Sequence, residues 1–363
     1  MKKTMKVAAA LAVLATPGFA ANLENPLYAP KAGEVYSKTA AGVMYKVADD
    51  SLAMQAKKHD GATEFPIWRV AENLGYGITD RLSVRGAFGY THDGDIDRQG
   101  MHEGRIGLNY RIFDGSSTNG FVWDINADAF LGGISKMKAE LVMSPDPSVI
   151  YNGKPYMLSF DYENYANGRW GAWLGTKLGK TWGKFTGAAF AEVERTFGND
   201  NNEIAISNSS KPIIASIVGA NGGSYIKGLP KTLSVDTKST WEYTAGLQGF
   251  YEFDSDWSLG GGFTYKHHSA NSVEGVNIDV DATKAGLSSA VIAAETAKVA
   301  SQFMGSMKDG WDEYILSLAV ARQLTDSVQV ALYGEYTFDS AEAKSQNGTD
   351  VKAELGVRLN AKF

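Results

Sequence analysis

The chain contains no cysteine, which excludes disulfide bonds, thiol nucleophiles and thiolate metal sites. Proline is scarce, with 9 residues in 363. Beyond the N-terminus, no stretch reaches the roughly 20 consecutive apolar residues that a membrane-spanning helix needs. A basic excess is also missing, because the formal net charge is -6, so the composition does not favour nucleic acid as a partner. Glycine and tyrosine are plentiful, with 40 and 17 residues.

The N-terminus is typical of a secretory signal peptide. Three lysines precede an apolar run from Val7 to Leu14, and small residues follow as far as Ala20. We predict a signal peptide over residues 1–20 and one domain over residues 21–363, since no linker-like segment divides the remainder. Removing the first 20 residues would change the net charge from -6 to -9, because three lysines are lost.

Apolar and polar side chains alternate in one segment after another. In the segment from Phe121 to Leu131, for example, the odd positions are apolar and four even positions are Val, Asp, Asn and Asp. Alternation with a period of two predicts β-strands that have one apolar and one polar face. Similar segments recur around residues 68–76, 82–90, 106–112, 241–247, 257–265, 314–320 and 328–336.

The last segment, Asp350 to Phe363, alternates most regularly. From Val351 onward every odd position is apolar, and every even position is charged, Gly or Asn. The chain ends on the aromatic Phe363 with its free carboxylate. This segment resembles the closing strand of Gram-negative outer-membrane β-barrels, whose terminal aromatic residue the assembly machinery recognises. The resemblance implies an outer-membrane location, contact with lipid and lipopolysaccharide, and recognition of Phe363 during assembly.

The connections between the predicted strands differ in length in a regular way. Short turns are expected at Ile78–Leu82, Phe113–Gly120, Lys180–Lys184, Phe253–Trp257 and Leu324–Val328. Longer polar segments lie between them, at Val47–Glu64, Thr91–Gly100, Phe197–Ser239, Lys266–Gly310 and Asp339–Thr349. Short turns at one rim and long loops at the other are typical of transmembrane barrels. The mean hydropathy of -0.22 fits such a barrel, because lipid-facing and lumen-facing residues alternate.

The fold class predicted is therefore all-β, a transmembrane antiparallel up-and-down barrel. The number of strands depends on the region from Gly132 to Gly168, where two segments alternate, one around residues 137–143 and the other around 156–163. Counting both segments favours about 14 strands, and treating the first as a loop gives about 12 as the alternative. Both counts are even, as expected for single-chain bacterial barrels.

The polar faces of these strands would line the lumen. Charged side chains of both signs fall on those faces, and their segregation is favoured because a charge in lipid costs roughly 2–4 kcal/mol at the midplane. They could set ion preference, or they could pair across the lumen and fill it. The pore-lining residues we predict are Arg85, Arg105, Asp124, Asp128, Glu192, Glu194, Glu242, Lys266, Glu335, Glu354 and Arg358.

An alanine-rich stretch from Asp281 to Met307 predicts a short helix within one long extracellular loop, with Asp281 as its N-cap. Most of its surface would be apolar, so that something must cover it. It could pack against the loop around residues 212–218 as an extracellular cap, or it could fold into the barrel as a plug.

Other motifs are weak. The acidic loop at residues 91–97 lacks the glycine and the final acid of a calcium loop, and no cofactor or metal is expected. His267 and His268 are adjacent on a predicted strand, so they point to opposite faces and cannot act together on one substrate. We expect no enzyme.

The sequence predicts a porin-like passive diffusion channel for ions or small solutes. The alternative is a structural or adhesion barrel with a filled lumen that acts through its outer loops.

Overall fold

The computed structural model describes most of the chain, with gaps at the N-terminus and in the long connections. The described residues are 22–47, 67–93, 98–115, 120–132, 135–142, 146–151, 154–156, 159–165, 170–197, 201–206, 233–237, 239–254, 256–269, 273–278, 297, 310–339 and 351–363. The predicted signal peptide lies outside them. So does the predicted helix between Asp281 and Met307, apart from the single helical residue 297.

Within the described residues the chain forms 19 strands. In chain order they are β1 (Val35–Val47), β2 (Ile67–Gly77), β3 (Leu82–Asp93), β4 (Arg98–Asp114), β5 (Phe121–Gly132), β6 (Ser135–Val142), β7 (Asp146–Tyr151), β8 (Lys154–Tyr156), β9 (Ser159–Tyr165), β10 (Trp170–Trp182), β11 (Phe185–Phe197), β12 (Asn201–Ile206), β13 (Leu233–Thr237), β14 (Thr240–Glu252), β15 (Trp257–His268), β16 (Val273–Ile278), β17 (Trp311–Thr325), β18 (Val328–Asp339) and β19 (Val351–Lys362). Among these residues, no helix has the length and apolar character needed to cross a membrane.

Twelve of the strands form a closed antiparallel barrel. The order around the ring is β1, β2, β3, β4, β5, β10, β11, β14, β15, β17, β18 and β19. The last strand pairs with the first over twelve residues, from Tyr36 opposite Lys362 to Val47 opposite Val351. Main-chain bonds between Val35 and Phe363, of 2.8 and 3.0 Å, complete this seam. Closure satisfies the backbone polar groups of every ring strand, as a lipid environment requires.

The strand count corrects the preferred prediction of 14 and matches the alternative of 12. β6 and β9, which correspond to the two uncertain segments, do form strands, but they pair mainly with each other, and only two residues of β6 pair with the ring strand β4. β5 pairs directly with β10 over eleven residues and bypasses them. β12, β13 and β16 continue the extra sheet from β9. Alternation identifies a strand with two different faces but does not reveal its partner, which is why these segments counted as wall strands.

Connection length differs between the two rims. The short connections join β2 to β3, β4 to β5, β10 to β11, β14 to β15 and β17 to β18, and all five lie at one rim. The chain returns at the other rim through the longer segments and the extra strands, except between β3 and β4, which are separated by residues 94–97 alone. The segregation of loop lengths predicted from the sequence is confirmed at the other connections. The long loop predicted at Thr91–Gly100 is wrong, because β3 and β4 extend into it and pair as far as Asp93 opposite Arg98. We refer to the two ends as the short-turn rim and the long-loop rim.

The outer surface of the barrel is apolar. Leu131, Ile106 and Leu355 are 70%, 65% and 65% exposed, although a soluble protein normally avoids large contiguous apolar patches. Aromatic side chains lie outward near both rims, for example Trp68 towards the long-loop rim and Tyr76 towards the short-turn rim. An apolar belt between aromatic girdles is the exterior of a membrane-spanning barrel, so the fold is that of a transmembrane β-barrel.

Candidate functional site

The lumen is lined by polar and charged side chains from the inner faces of the twelve ring strands. Inward and outward positions alternate as in any strand, and β10 shows this in its run of exposed residues beside buried or half-buried ones. All eleven residues predicted to line the pore lie on the inner faces. Whether they control conduction stays a prediction.

Several of these charges pair along the inner wall. Arg85 on β3 donates two hydrogen bonds to Asp128 on β5, of 3.0 and 2.8 Å. The two strands are not neighbours, and Gly107 on the intervening β4 leaves the space through which the carboxylate passes. Arg105 reaches Glu194 at 2.8 Å, which joins β4 to β11. These ion pairs therefore connect strands that are not neighbours in the ring, and they restrict how far those strands can move apart.

Two further predicted residues form a pair near the long-loop rim. Lys266 on β15 donates to Glu242 on β14 at 3.0 Å. His268 lies beside them, 3.2 Å from Glu242 and 3.5 Å from Glu313, and stacks on Trp311. Its neighbour His267 instead contacts Asp312 at 2.8 Å on the outer face. The two histidines therefore point to opposite faces of the wall, and the described residues contain no group that could hold a metal ion.

The most consequential part of the lumen was not identified from the sequence. The segment Asn22–Glu34, which we call the N-terminal segment, precedes β1 and lies inside the barrel at the short-turn rim. Its end is attached to the first short turn: the Gly33 amide donates to the Gly77 carbonyl at 2.8 Å. Gly33 has a φ of 81°, a value that glycine adopts without a Cβ penalty.

Three cations of the barrel bind main-chain carbonyls of the N-terminal segment. Lys38 on β1 donates to the Leu23 carbonyl at 2.5 Å, and Lys177 on β10 donates to the Pro26 carbonyl at 3.0 Å. Arg111 on β4 donates to the Leu27 carbonyl at 2.7 Å. Hydrogen bonds to charged groups contribute about 1.5–3 kcal/mol each, so these bonds fix the path of the segment.

Side chains of the segment add further bonds to the wall. Both oxygens of Glu24 are bound by β19: Arg358 donates to Oε2 at 2.6 Å and Asn360 donates to Oε1 at 2.7 Å. Asn22 accepts a bond of 2.7 Å from Gln329 on β18. With the 3.3 Å contact between Asn25 and Thr186 on β11, and the main-chain bond between Gly33 and Gly77 on β2, the segment bonds to seven strands of the ring.

Apolar contacts complete the attachment. Leu23 is 2% exposed, and Leu27 packs against Val122 and Ala188 in a small core inside the barrel. A barrel this narrow can be filled by its own side chains. The N-terminal segment therefore substitutes for a conventional core at the short-turn rim.

Two cavities lie on either side of this segment. The larger has a volume of about 380 Å³, and five predicted pore residues line it, namely Arg85, Asp124, Glu192, Glu335 and Arg358. The smaller, of about 260 Å³, lies between the segment and the short turns and is lined by residues such as Lys31, Gly120 and Thr181. Asn25 and Tyr28 border both cavities. The segment is thus a partition across the lumen.

The sequence contained only an indirect sign of this arrangement. Residues 21–33 read as a turn-rich stretch with two prolines between the signal peptide and the first strand. Contacts such as Glu24 with Arg358 join residues 334 positions apart, and no local pattern encodes them.

No family model matches the chain, and no curated protein sequence matches it. Solved structures of barrels do resemble it at low identity. An outer membrane channel from Pseudomonas putida F1 is 14% identical, with a TM-score of 0.47, over 93% of this chain and 98% of that chain. The CymD monoaromatic hydrocarbon channel is 11% identical, with a TM-score of 0.47, over 92% of this chain and 89% of that one. The NanC porin is 8% identical, with a TM-score of 0.39, over 90% and 100%.

Proposed function

We propose that the protein is an outer-membrane channel through which ions or small polar solutes diffuse passively. The observation that supports this proposal is the cavity of about 380 Å³ inside the closed barrel, bordered by charged side chains of both signs. A barrel filled only for stability has no need for a polar cavity of this size, because buried charges without a solvated path are costly. The proposal assigns no catalytic step to the barrel.

The N-terminal segment restricts this path at the short-turn rim. Conduction would require the segment to move or solutes to pass beside it, so we expect small and gated currents rather than a wide, permanently open pore. Mixed charges on the inner face would give weak ion selectivity, since both signs lie along the same path.

The alternative is a structural or adhesion barrel with a filled lumen. One observation favours it: β6, β9, β12, β13 and β16 extend the sheet beyond the twelve-stranded ring. Such an extension could present a surface to partners outside the cell. The partners we propose on the membrane side are lipid and lipopolysaccharide at the apolar belt, and the barrel-assembly machinery at Phe363.

Single-channel recording of the refolded protein in a planar lipid bilayer tests the proposal. A channel should give discrete current steps whose reversal potential in a salt gradient reports the ion preference. Protein that migrates on gels as a folded, heat-modifiable barrel but never conducts, even when the N-terminal segment is released, would contradict the channel and favour the structural alternative.

A further inference from the structure

The carboxylate of Glu24 occupies a site that belongs to the barrel wall. Arg358 and Asn360 each bind one of its oxygens, at 2.6 and 2.7 Å, and the Glu24 side chain is only 7% exposed. Lys38 adds a second cation nearby, while its ammonium bonds to the Leu23 carbonyl. A carboxylate bound on both oxygens by charged or polar donors is among the strongest of polar contacts.

This site is held in place without Glu24. The Arg358 guanidinium lies over the Tyr333 ring, 4.7 Å from its centroid. The Asn360 amide also donates to Gln329 at 3.0 Å, and Asn360 is 0% exposed. Because Tyr333 and Gln329 are wall residues, the donors would keep their positions if the N-terminal segment left. The wall therefore contains a preorganised site for a carboxylate.

Glu24 is the charged contact between the N-terminal segment and this site. The segment contains two other charged residues. Glu34 accepts a 2.5 Å bond from Tyr28 within the segment itself, and Lys31 is exposed. Within the described residues, Glu24 forms the segment's ion pair with the ring. Loss of this one interaction would leave the segment without an ion pair to the ring. It would then be held by its carbonyl groups, by the Asn22 and Asn25 side chains, by the main-chain bond of Gly33 and by a small apolar contact.

Solutes in the lumen can reach the site, since Glu24, Lys38 and Arg358 all border the larger cavity. We propose that Arg358 and Asn360, beside the positive charge of Lys38, bind small carboxylate ions, that Glu24 occupies this site in the closed channel, and that a carboxylate solute displaces Glu24 and releases the N-terminal segment. This inference rests on the proposed channel function. According to this inference, small organic acids open the barrel and also pass through it.

The first test uses the full mature chain in a planar bilayer, with sodium acetate compared with sodium chloride at equal ionic strength. We expect acetate to raise the open fraction about tenfold, the change in an equilibrium constant expected when the segment loses one hydrogen bond between charged groups. The Glu24→Gln and Asn360→Asp variants should each be open in either salt. Equal open fractions of the unmodified protein in acetate and chloride would overturn the proposal.

The double variant Glu24→Gln with Asn360→Asp tests the contact itself. The amide introduced at position 24 can donate to the carboxylate introduced at position 360, and that carboxylate can pair with Arg358, so the bonds reform with the roles exchanged. We expect the double variant to return to a low open fraction. Glu192→Gln is the matched control, because it also removes one luminal carboxylate but does not contact the segment. A Glu192→Gln channel as open as Glu24→Gln would show that luminal charge alone, and not the contact, controls opening.

A second measurement separates this inference from the channel function. The chain has no cysteine, so Leu23→Cys introduces one thiol at a position that is 2% exposed. We expect a maleimide reagent to modify it several-fold faster in acetate than in chloride. A rate that responds to acetate in a barrel that never conducts would retain the carboxylate site and reject the channel. A rate that is the same in both salts would reject the carboxylate site, whatever the conductance.

Discussion

At the scale of single residues, the interior combines ion pairs with aromatic rings that lie on glycines. The ring of Tyr333 on β18 lies against Gly356 on β19, where a Cβ would be 2.6 Å from the ring and 2.5 Å from the Ala41 carbonyl. Tyr36 lies on Gly75 in the same way, and Phe130 on Gly171. Glycine at these positions therefore provides the space in which inward aromatic side chains lie flat on the wall.

Replacement of Gly356 by alanine should destabilise the barrel by about 1–3 kcal/mol, the usual cost of overpacking. Both the ring and a backbone carbonyl obstruct the new methyl group, so a side-chain adjustment alone cannot accommodate it. Unfolding in urea, followed by tryptophan fluorescence, measures the change. Gly260→Ala is the control, because its nearest atom is 3.9 Å away, and equal midpoints for the two variants would contradict the prediction.

Among the described residues, Arg111 and Asp124 form the most enclosed ion pair of the lumen. Arg111 donates at 2.8 and 3.1 Å to the two carboxylate oxygens, and the side chains are 8% and 7% exposed. Removing one partner of a buried pair leaves the other without compensation and costs about 3–5 kcal/mol.

We therefore expect Asp124→Ala to lower the free energy of unfolding by roughly that amount, and to loosen the Leu27 carbonyl that Arg111 binds. The exposed Asp326 in the turn between β17 and β18 supplies the matched control, Asp326→Ala. An Asp124→Ala protein that unfolds at the same urea concentration as the unmodified protein would exclude a structural role for this pair.

At the scale of elements, the N-terminal segment should respond to pH through Glu24. Burial raises the pKa of Glu24, but Arg358, Lys38 and Asn360 together lower it by more, so that it lies below the ordinary value of 4.5. The ionised carboxylate therefore stabilises the attached segment fully above about pH 4.5, and this contribution is lost as the pH falls through the lowered pKa.

Conductance should thus be low and constant at neutral pH and should rise on acidification to well below pH 4.5. Recording the open fraction between about pH 7 and pH 3 checks this expectation. The Glu24→Gln variant should lack the rise, whereas Glu192→Gln should keep it. A rise of the same size in Glu24→Gln would assign the titration to other acids of the lumen.

Some strands and contacts of the barrel could be predicted from the sequence, and others could not. Alternation located nine of the eleven ring strands that follow β1, and the turn predicted at Lys180–Lys184 marked the other two, β10 and β11. Loop lengths assigned the rims, because all of these signals depend on neighbouring residues. The partners of β6 and β9 could not be predicted, since pairing depends on which edge each strand reaches in space. The inner faces followed from parity, but the contacts of Lys38, Lys177 and Arg358 with the N-terminal segment are long-range and have no local pattern.

At the scale of the whole molecule, the barrel depends on the seam between β1 and β19. Ala41 and Val357 are opposite each other across it, on the outer face. Directly opposed residues in an antiparallel pair have Cα atoms about 4.5–5.5 Å apart, within the range that a disulfide can bridge.

Cysteines at Ala41→Cys and Val357→Cys should therefore form an intramolecular disulfide when the folded protein is oxidised. The link joins residues near opposite ends of the chain, so it should change the migration of the denatured protein on a gel until a reductant is added. Ala41→Cys with Leu359→Cys, displaced by two residues, is the control that should cross-link poorly. Equal cross-linking of both pairs would argue against a closed barrel in this register.

The seam has a consequence for how the barrel is built in the cell. β1 follows the N-terminal segment directly and pairs with β19, so the wall cannot close before β19 has been synthesised. The strand that seals the wall is thus tethered to the segment that fills the lumen. The N-terminal segment would therefore restrict the lumen of a newly inserted barrel from the moment of closure. Uncontrolled flow of ions through the barrel would be prevented during assembly.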